Sequence, residues 1–401
     1  MKSPVLLAIA VASLLGAVPL RAAADEGPIV LCYHIVESPQ DPRMEISREA
    51  FRQQMRYLAM TGYNVIPLRD AYEYAAGKRQ SLPPRSVVVT IDDGWRSTYT
   101  EVFPEMKRWH FPFTVFIYPR IIGQTSYAMT WKQVKELANA GVDIESHSFS
   151  HPYLTQRRHA TLAPKEYAAW LEHELAGSKK ILEQETGKPV SFLAYPYGDY
   201  DRHLVENVGR AGYLAALTCD YGSVRRGSDP LRMRRFAIDK RLDFAEFRHY
   251  LGTTPMRVAE MTPQPGQAID AGITPVTVSA KLPNYKTLDP KSVGMALMSV
   301  GGSTPYSYDP HNGSVTLTIK DALKGFQRAI VWATEMKSGK RYEASWTFRA
   351  PETKPAAVPA ASPPQACPPT DPTAPAPVTA GGSGARSDSA DSRLNMRGAK
   401  P

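Results

Sequence analysis

Between residues 29 and 250 the chain alternates short apolar runs with longer stretches of helical spacing. The apolar runs are "IVLCYH", "NVIPL", "SVVVTI", "FPFTVFIY", "VDIES", "VSFLAY", "LAALTC" and "RMRRFAI". Several are apolar at consecutive positions, the pattern of strands buried on both faces. In "SREAFRQQMRYLAMTGY", Phe51, Met55 and Leu58 share one helical face. Ser47 stands where an N-cap belongs, and Gly62 lies just past the end. "TWKQVKELANA" is a second helix, closed by Gly141. A long helix is expected over roughly 164–186, ended by Gly187, and another near 202–211. Strands alternating with helices imply a parallel sheet covered on both sides. Seven or eight such units predict a distorted (β/α)7–8 barrel rather than an open sheet. In a barrel, functional side chains gather where strands end.

The period changes after residue 255. "TPVTVSAKL", "SVGMALM", "GSVTLTI", "RAIVWATE" and "YEASWTF" read as short strands separated by Pro, Gly and Asn. They predict a small C-terminal β-sandwich over 255–350. Residues 351–401 hold no aromatic residue and 11 of the chain's 35 prolines. Such a segment buries too little apolar surface to fold and is read as a disordered tail. At the other end, Lys2 precedes the apolar run "PVLLAIAVASLLGAVPL", and Ala22 and Ala24 have the spacing of a cleavage site. Residues 1–24 are therefore expected to be a secretory signal, leaving a barrel over 25–252. No other stretch is long and apolar enough to serve as a transmembrane anchor.

The 401 residues suffice for two domains. Cys32, Cys219 and Cys367 are too few for a disulfide framework, and their odd number leaves a thiol unpaired. The net charge of +9 suits contact with an anionic envelope. No nucleic-acid-binding motif accompanies it. The expectation is an exported protein, periplasmic or extracellular.

Candidate chemistry sits at the strand ends. "IVLCYH" ends in His34, "SVVVTIDD" in Asp92 and Asp93, and "VDIESHSFSH" in His147 and His151. "VSFLAYPYGDYD" ends in Tyr197 and Asp199. Two adjacent carboxylates at the end of a buried strand repel each other, and burial raises the cost of both charges. Histidines four residues apart can face one metal ion, and a carboxylate completes a three-ligand set that leaves room for water. The alternative for "HSFSH" is a polar loop with two solvated histidines. The neighbouring aspartates favour the metal. Two nitrogens and one oxygen suit Zn2+, with Co2+, Ni2+ and Fe2+ also compatible. Trp95, Tyr127 and Trp131 lie near these loops and could stack on sugar rings, although aromatics are more often core.

"TIDDG", "HSFSH" and "AYPYG" resemble, in this order, three motifs of the polysaccharide deacetylases of NodB homology, carbohydrate esterase family 4. The resemblance covers about residues 28–250. It is nearest the poly-N-acetylglucosamine deacetylase branch, whose members resemble a circularly permuted NodB fold with a "YH" on the first strand, here in "CYHIV". It implies a metal-dependent hydrolase. Asp93, His147 and His151 would bind the metal, Asp92 would be the general base, and the Tyr197 backbone N–H would hold the oxyanion. His34 would be the acid for the leaving amine. The family's arginine in the third motif is Ala194 here, so Arg235 is preferred over Arg234 or Arg232 as the partner of Asp92. The implied partner is an N-acetylated polysaccharide, poly-β-1,6-N-acetylglucosamine ahead of peptidoglycan or chitin. An O-acetyl esterase of xylan type would use the same site. A non-catalytic polymer-binding envelope protein is the third reading, with Ala194 as its main support. The C-terminal part resembles bacterial Ig-like domains, which act as spacers or dock an envelope partner.

Overall fold

The computed structural model describes residues 27–37, 44–270, 272–300 and 305–351. The expected signal (1–24), Cys367 and all but the first residue of the expected tail lie outside them. No helix among the described residues is long and apolar enough to cross a membrane.

Eight parallel strands build the first sheet. They are β1 (Ile29–Tyr33), β2 (Asn64–Val65), β3 (Ser86–Asp93), β4 (Thr114–Ile117), β5 (Asp143–Ser146), β6 (Phe192–Ala194), β7 (Ala215–Leu217) and β8 (Phe236–Ala237). Their order is β8-β1-β3-β4-β5-β6-β7, with β2 pairing the start of β3. The fold is a distorted (β/α) barrel. Its last side closes through residues 233–237. Met233 N–H donates to Ala216 O (2.9 Å), Thr218 N–H donates to Met233 O (2.8 Å), and Phe236 and Ala237 pair with Leu31 and Cys32.

The burial of β1 and β3 follows from their sequence. Val87, Val89 and Ile91 join Leu31 and Tyr33 in the core beneath the helices. Val30 and Val88 meet Phe116, Phe192, Ala194 and Leu217 in a second cluster. Alternate residues of a strand point to opposite sides, so both sides are apolar. Helix α1 (Arg48–Met60) buries Phe51, Met55 and Leu58, and Ser47 accepts from Ala50 N–H at 3.1 Å. Helix α2 (Leu68–Ala75) lays Leu68, Ala71, Tyr72 and Ala75 on the second cluster. The short helix α3 (Phe103–Arg108) precedes α4 (Trp131–Asn139), whose end at Gly141 agrees with the sequence.

The expected long helix is two pieces, α5 (Pro164–Glu172) and α6 (Ser178–Thr186). They are joined by a widened turn, His173–Gly177, and Gly187 ends the second piece in the left-handed conformation (φ 67°). α7 (Arg202–Arg210) and α8 (Phe244–Leu251) complete the helices. α8, α3 and a small pair of two-residue strands, Ile35–Val36 with Glu45–Ile46, were not anticipated from the pattern. Each is too short to impose a clear period.

The C-terminal region holds two four-stranded sheets. The first comprises β9 (Thr254–Pro255), β12 (Gly294–Leu297), β15 (Phe326–Thr334) and β16 (Arg341–Arg349). The second comprises β10 (Ala259–Thr262), β11 (Val276–Lys281), β13 (Tyr306–Asp309) and β14 (Ser314–Ile319). Their inner faces share one core: Val278 and Leu317 from one sheet, Val331, Trp346 and Phe348 from the other. β15 alternates buried and half-buried residues, as a strand of a two-layer sandwich must. The barrel and these sheets belong to one compact unit. β16 is the seam. Ser345 N–H donates to Tyr221 O (2.8 Å), Tyr221 N–H donates to Ser345 Oγ (2.6 Å), and the Arg328 guanidinium lies 4.2 Å over the Tyr221 ring.

Candidate active site

Neighbouring residues of a straight strand face opposite sides, yet Asp92 and Asp93 reach one site. Asp92 follows the inward side of Val88 and Thr90. Asp93 ends the strand at φ 80°, a left-handed turn that brings its carboxylate back to the same mouth. Trp95 Nε1–H donates to its Oδ2 at 2.9 Å. Its other oxygen, Oδ1, lies 3.6 Å from His147 Nε2 and 3.5 Å from His151 Nε2. The two imidazole nitrogens are 3.2 Å apart. His147 Nδ1 lies 2.8 Å from the carbonyl of Ala194, a contact in which Nδ1–H donates and Nε2 keeps its lone pair.

Burial disfavours the charged imidazole, and both histidines are pushed down to about 4. They are neutral at pH 7 and available as ligands. Asp93 Oδ1 is buried with no hydrogen-bond partner. Asp93 Oδ1 and the two Nε2 atoms thus converge within hydrogen-bonding reach of one point, an arrangement that a cation satisfies.

Asp92 lies beside this triad, 1% exposed. Its Oδ1 accepts from Arg235 Nη1 at 2.8 Å, and Arg235 is fully buried. Arg235 also donates to Thr218 O (3.1 Å) and faces the Phe116 ring. Burial opposes ionisation of Asp92. Arg235, His147 and His34 outweigh it and hold the carboxyl well below the usual carboxylate range. Of the three arginines considered, Arg232 pairs with Asp229 and Arg234 reaches Ser345 O. Only Arg235 has the inward register, because its strand neighbour Ala237 pairs with Cys32. Asp92 Oδ2 faces the cavity: Cys32 Sγ is 3.4 Å away, His147 Nε2 3.8 Å and His34 Nε2 4.0 Å. His34 is partly exposed, and its Nδ1 has no partner.

Tyr197 stands on the far side at φ 60°, its ring 4.6 Å from His151 and stacked 4.1 Å from Tyr153. Tyr118 lies 5.1 Å from His151. Trp95 and Tyr127 face each other at 5.7 Å on the opposite rim. Trp131 begins α4 and packs against the core. Asp93, Ser148, His151 and Tyr197 are all non-glycine residues at positive φ, each costing about 1–3 kcal/mol of strain. Strain concentrated here marks a site whose geometry is imposed by its surroundings.

Residues 79–216 match the family model described as polysaccharide deacetylase. That span includes both aspartates, both histidines and Tyr197. The chain carries a polysaccharide deacetylase domain. It is similar to the poly-beta-1,6-N-acetyl-D-glucosamine N-deacetylase of Staphylococcus epidermidis, 24% identical over 199 residues, which is 48% of this chain and 68% of the relative. Among solved structures it resembles IcaB from Ammonifex degensii (TM-score 0.50, 27% identity), covering 56% of this chain and 97% of that one. The deacetylase PplD of Streptococcus pyogenes, at 22% identity and TM-score 0.50, shares the fold over 56% of this chain and 98% of its own.

The deacetylase domain holds its histidine loop with two residues that the sequence reading did not single out. Glu174, in the widened turn between α5 and α6, accepts from Phe149 N–H (3.1 Å), Ser150 N–H (2.9 Å) and Ser150 Oγ (2.6 Å). Ser178 Oγ donates to Ser148 O at 3.0 Å. A glutamate within a helix carries no local signal of such a role. Asp199 ends the "AYPYGD" run but does not join Asp93, His147 and His151. It is buried under Arg157 and Arg349.

Proposed function

We propose that the deacetylase domain removes N-acetyl groups from an exported N-acetylglucosamine polymer, poly-β-1,6-N-acetylglucosamine, using a divalent metal ion held by Asp93, His147 and His151. The observation that carries the reading is the unpartnered Asp93 Oδ1 facing two neutral imidazole nitrogens, beside a carboxylate already neutralised by Arg235. Two nitrogens and one oxygen suit zinc first. The name of the staphylococcal relative supports the polymer. Lys2 and the apolar run after it support export, to the periplasm or beyond.

When bound, the metal would acidify a water and polarise the acetyl carbonyl. Asp92 Oδ2 takes the proton of the attacking water, since Oδ1 is tied to Arg235. The Tyr197 backbone N–H donates to the oxyanion that forms on the substrate carbonyl. His34 Nε2, on the other side of Asp92 Oδ2, gives a proton to the departing nitrogen. An amine is a poor leaving group until protonated, so this step decides between amide and ester substrates. Trp95 and Tyr127 offer ring faces on which sugars stack.

The test is acetate release from β-1,6-linked N-acetylglucosamine oligomers by the metal-loaded protein. Chelation is expected to abolish release. Asp92→Asn is expected to lower kcat by about 10²- to 10⁴-fold with metal content unchanged. No release with metal supplied, or release indifferent to Asp92→Asn, overturns the mechanism. Preferential release from chitin oligomers or acetylated xylan reassigns the polymer.

A further inference from the structure

The "PYG" turn is unusual in its support. Tyr197 and Gly198 both adopt left-handed conformations, φ 60° and 66°. At Gly198 a Cβ would lie 2.6 Å from Cys219 Cβ, so no other residue fits. A non-glycine residue such as Tyr197 relaxes out of this conformation unless both ends of its turn are fixed. The first end is held by the barrel, through Tyr195 N–H to Leu217 O at 3.0 Å. The second end is Asp199, and it is held mainly from outside the turn.

Asp199 is 2% exposed. Its Oδ1 accepts from Arg349 Nε (3.0 Å) and Nη2 (2.8 Å), and from Arg157 Nη2 (2.9 Å). Its Oδ2 accepts from Thr155 Oγ1 (3.1 Å) and Arg157 Nη2 (3.1 Å). Arg349 is the last residue of β16 and is itself almost fully buried. Its guanidinium also lies 5.9 Å from the Tyr153 ring, on which Tyr197 stacks, and 4.5 Å from Phe326 of β15. The C-terminal sheets therefore reach the wall of the active site by two routes, through Asp199, two positions from Tyr197, and through Tyr153, which stacks on it.

We propose that Arg349 is a positioning residue for deacetylation, and that the C-terminal sheets complete the active site rather than merely space it from other structures. The proposal rests on the reading of Tyr197 as the oxyanion donor. Arg349 fixes Asp199, Asp199 fixes the left-handed Tyr197–Gly198 pair, and that pair aims the Tyr197 N–H and ring at the cavity. The metal triad is supported separately, by Ala194 O and Glu174. Loss of Arg349 should therefore uncouple turnover from metal binding. A buried fork of hydrogen bonds is needed and not just a positive charge, so lysine is an incomplete replacement.

The experiment compares Arg349→Met, Arg349→Lys, Asp199→Asn and Ser345→Ala in the full chain. Ser345→Ala removes a seam hydrogen bond to Tyr221 on the same strand but leaves Asp199 untouched. Arg349→Met and Asp199→Asn are expected to lower kcat about 10- to 100-fold with KM within about twofold and metal affinity unchanged. Arg349→Lys should recover part of the loss. Ser345→Ala should lower Tm and leave kcat alone. Hydrogen exchange gives a readout that needs no turnover: residues 195–200 should exchange faster in Arg349→Met while 143–151 stay protected. Full kcat in Arg349→Met or Asp199→Asn overturns the proposal, as does an equal kcat loss in Ser345→Ala. If Arg349→Met fails to fold, the Asp199→Asn and Arg349→Lys results decide. Faster exchange at 195–200 in a protein whose wild type releases no acetate would leave the positioning intact and sink the deacetylase reading instead.

Discussion

Replacing Arg235 with methionine tests the division of labour between the two aspartates. Methionine keeps the apolar stem of the side chain and drops its guanidinium, and Arg235 Nη1 contacts Asp92 Oδ1 at 2.8 Å in a site where both residues are buried. Opposite charges on the order of 4 Å apart attract by about 4 kcal/mol at an effective dielectric constant of about 20. At about 1.4 kcal/mol per pH unit, losing that attraction raises the Asp92 carboxyl by about three units. In the wild type Asp92 sits well below its ordinary range, so it is ionised wherever the protein is folded. In the variant it protonates within the ordinary carboxylate range, and the acid limb of kcat/KM should move upward by about three pH units.

The pH dependence of stability must change with it. A depressed native pKa contributes stability above the unfolded value of about 3.9, lost as pH falls. A raised one contributes stability at low pH, lost as pH rises through the native value. The difference in unfolding free energy between wild type and variant should therefore widen from acid to neutral pH, towards the roughly 3–5 kcal/mol typical of a broken buried pair. The assays are a pH–rate profile with metal-loaded protein and urea unfolding at several pH values. An acid limb that stays in place, or a stability difference flat with pH, refutes the reasoning.

Four further outcomes follow from the same geometry. Glu174→Gln keeps the shape but weakens the charge-assisted bonds to the histidine loop, so metal affinity should fall about 10- to 100-fold by calorimetric titration; unchanged affinity would show that the loop holds itself. Because burial lowers His147 and His151 to about 4, protons compete poorly for them. Metal affinity should hold from pH 7 to about 5 and then drop, and a decline centred near the ordinary imidazole value of about 6.5 would contradict this. The same shifts make the metal-free protein lose stability as pH falls from about 6.5 towards 4, by up to about 1.4 kcal/mol per unit for each histidine. Gly198→Ala, which drives a Cβ into Cys219 at positive φ, should lower Tm by several degrees and slow turnover, whereas a neutral result would mean the turn can relax.

The barrel was legible because its strands are apolar on both sides, and the sandwich because its period drops to two. The strand-end aspartates and histidines were legible as a constellation because they fall at the ends of such runs. Register was not. "RMRRF" offers three arginines, and only the pairing of Ala237 with Cys32 turns Arg235 inward. Nor does "DDG" show that Asp93 bends back at φ 80° to share the mouth with Asp92. Asp199 looked like one more polar strand end, yet it belongs to a buried clamp whose other half lies 150 positions away. Cys32 stood out only as one of three cysteines, yet it lies against the carboxylate of Asp92. Glu174 depends on a widened helical turn that has no residue signature.

The closing segment at 233–237 also sets an order of events. Asp92 and Arg235 are 143 residues apart, and Asp199 and Arg349 150 apart. A chain emerging from the ribosome N-terminus first presents Asp93, His147 and His151 long before either arginine. Asp92 therefore precedes its neutralising partner by most of the barrel. The partner that neutralises it arrives with the last strand of the barrel, and the clamp on Asp199 arrives with the last strand of the sandwich. The site is thus divided by topology: a chain cut before residue 233 keeps Asp93, His147 and His151 but lacks the arginine that neutralises Asp92.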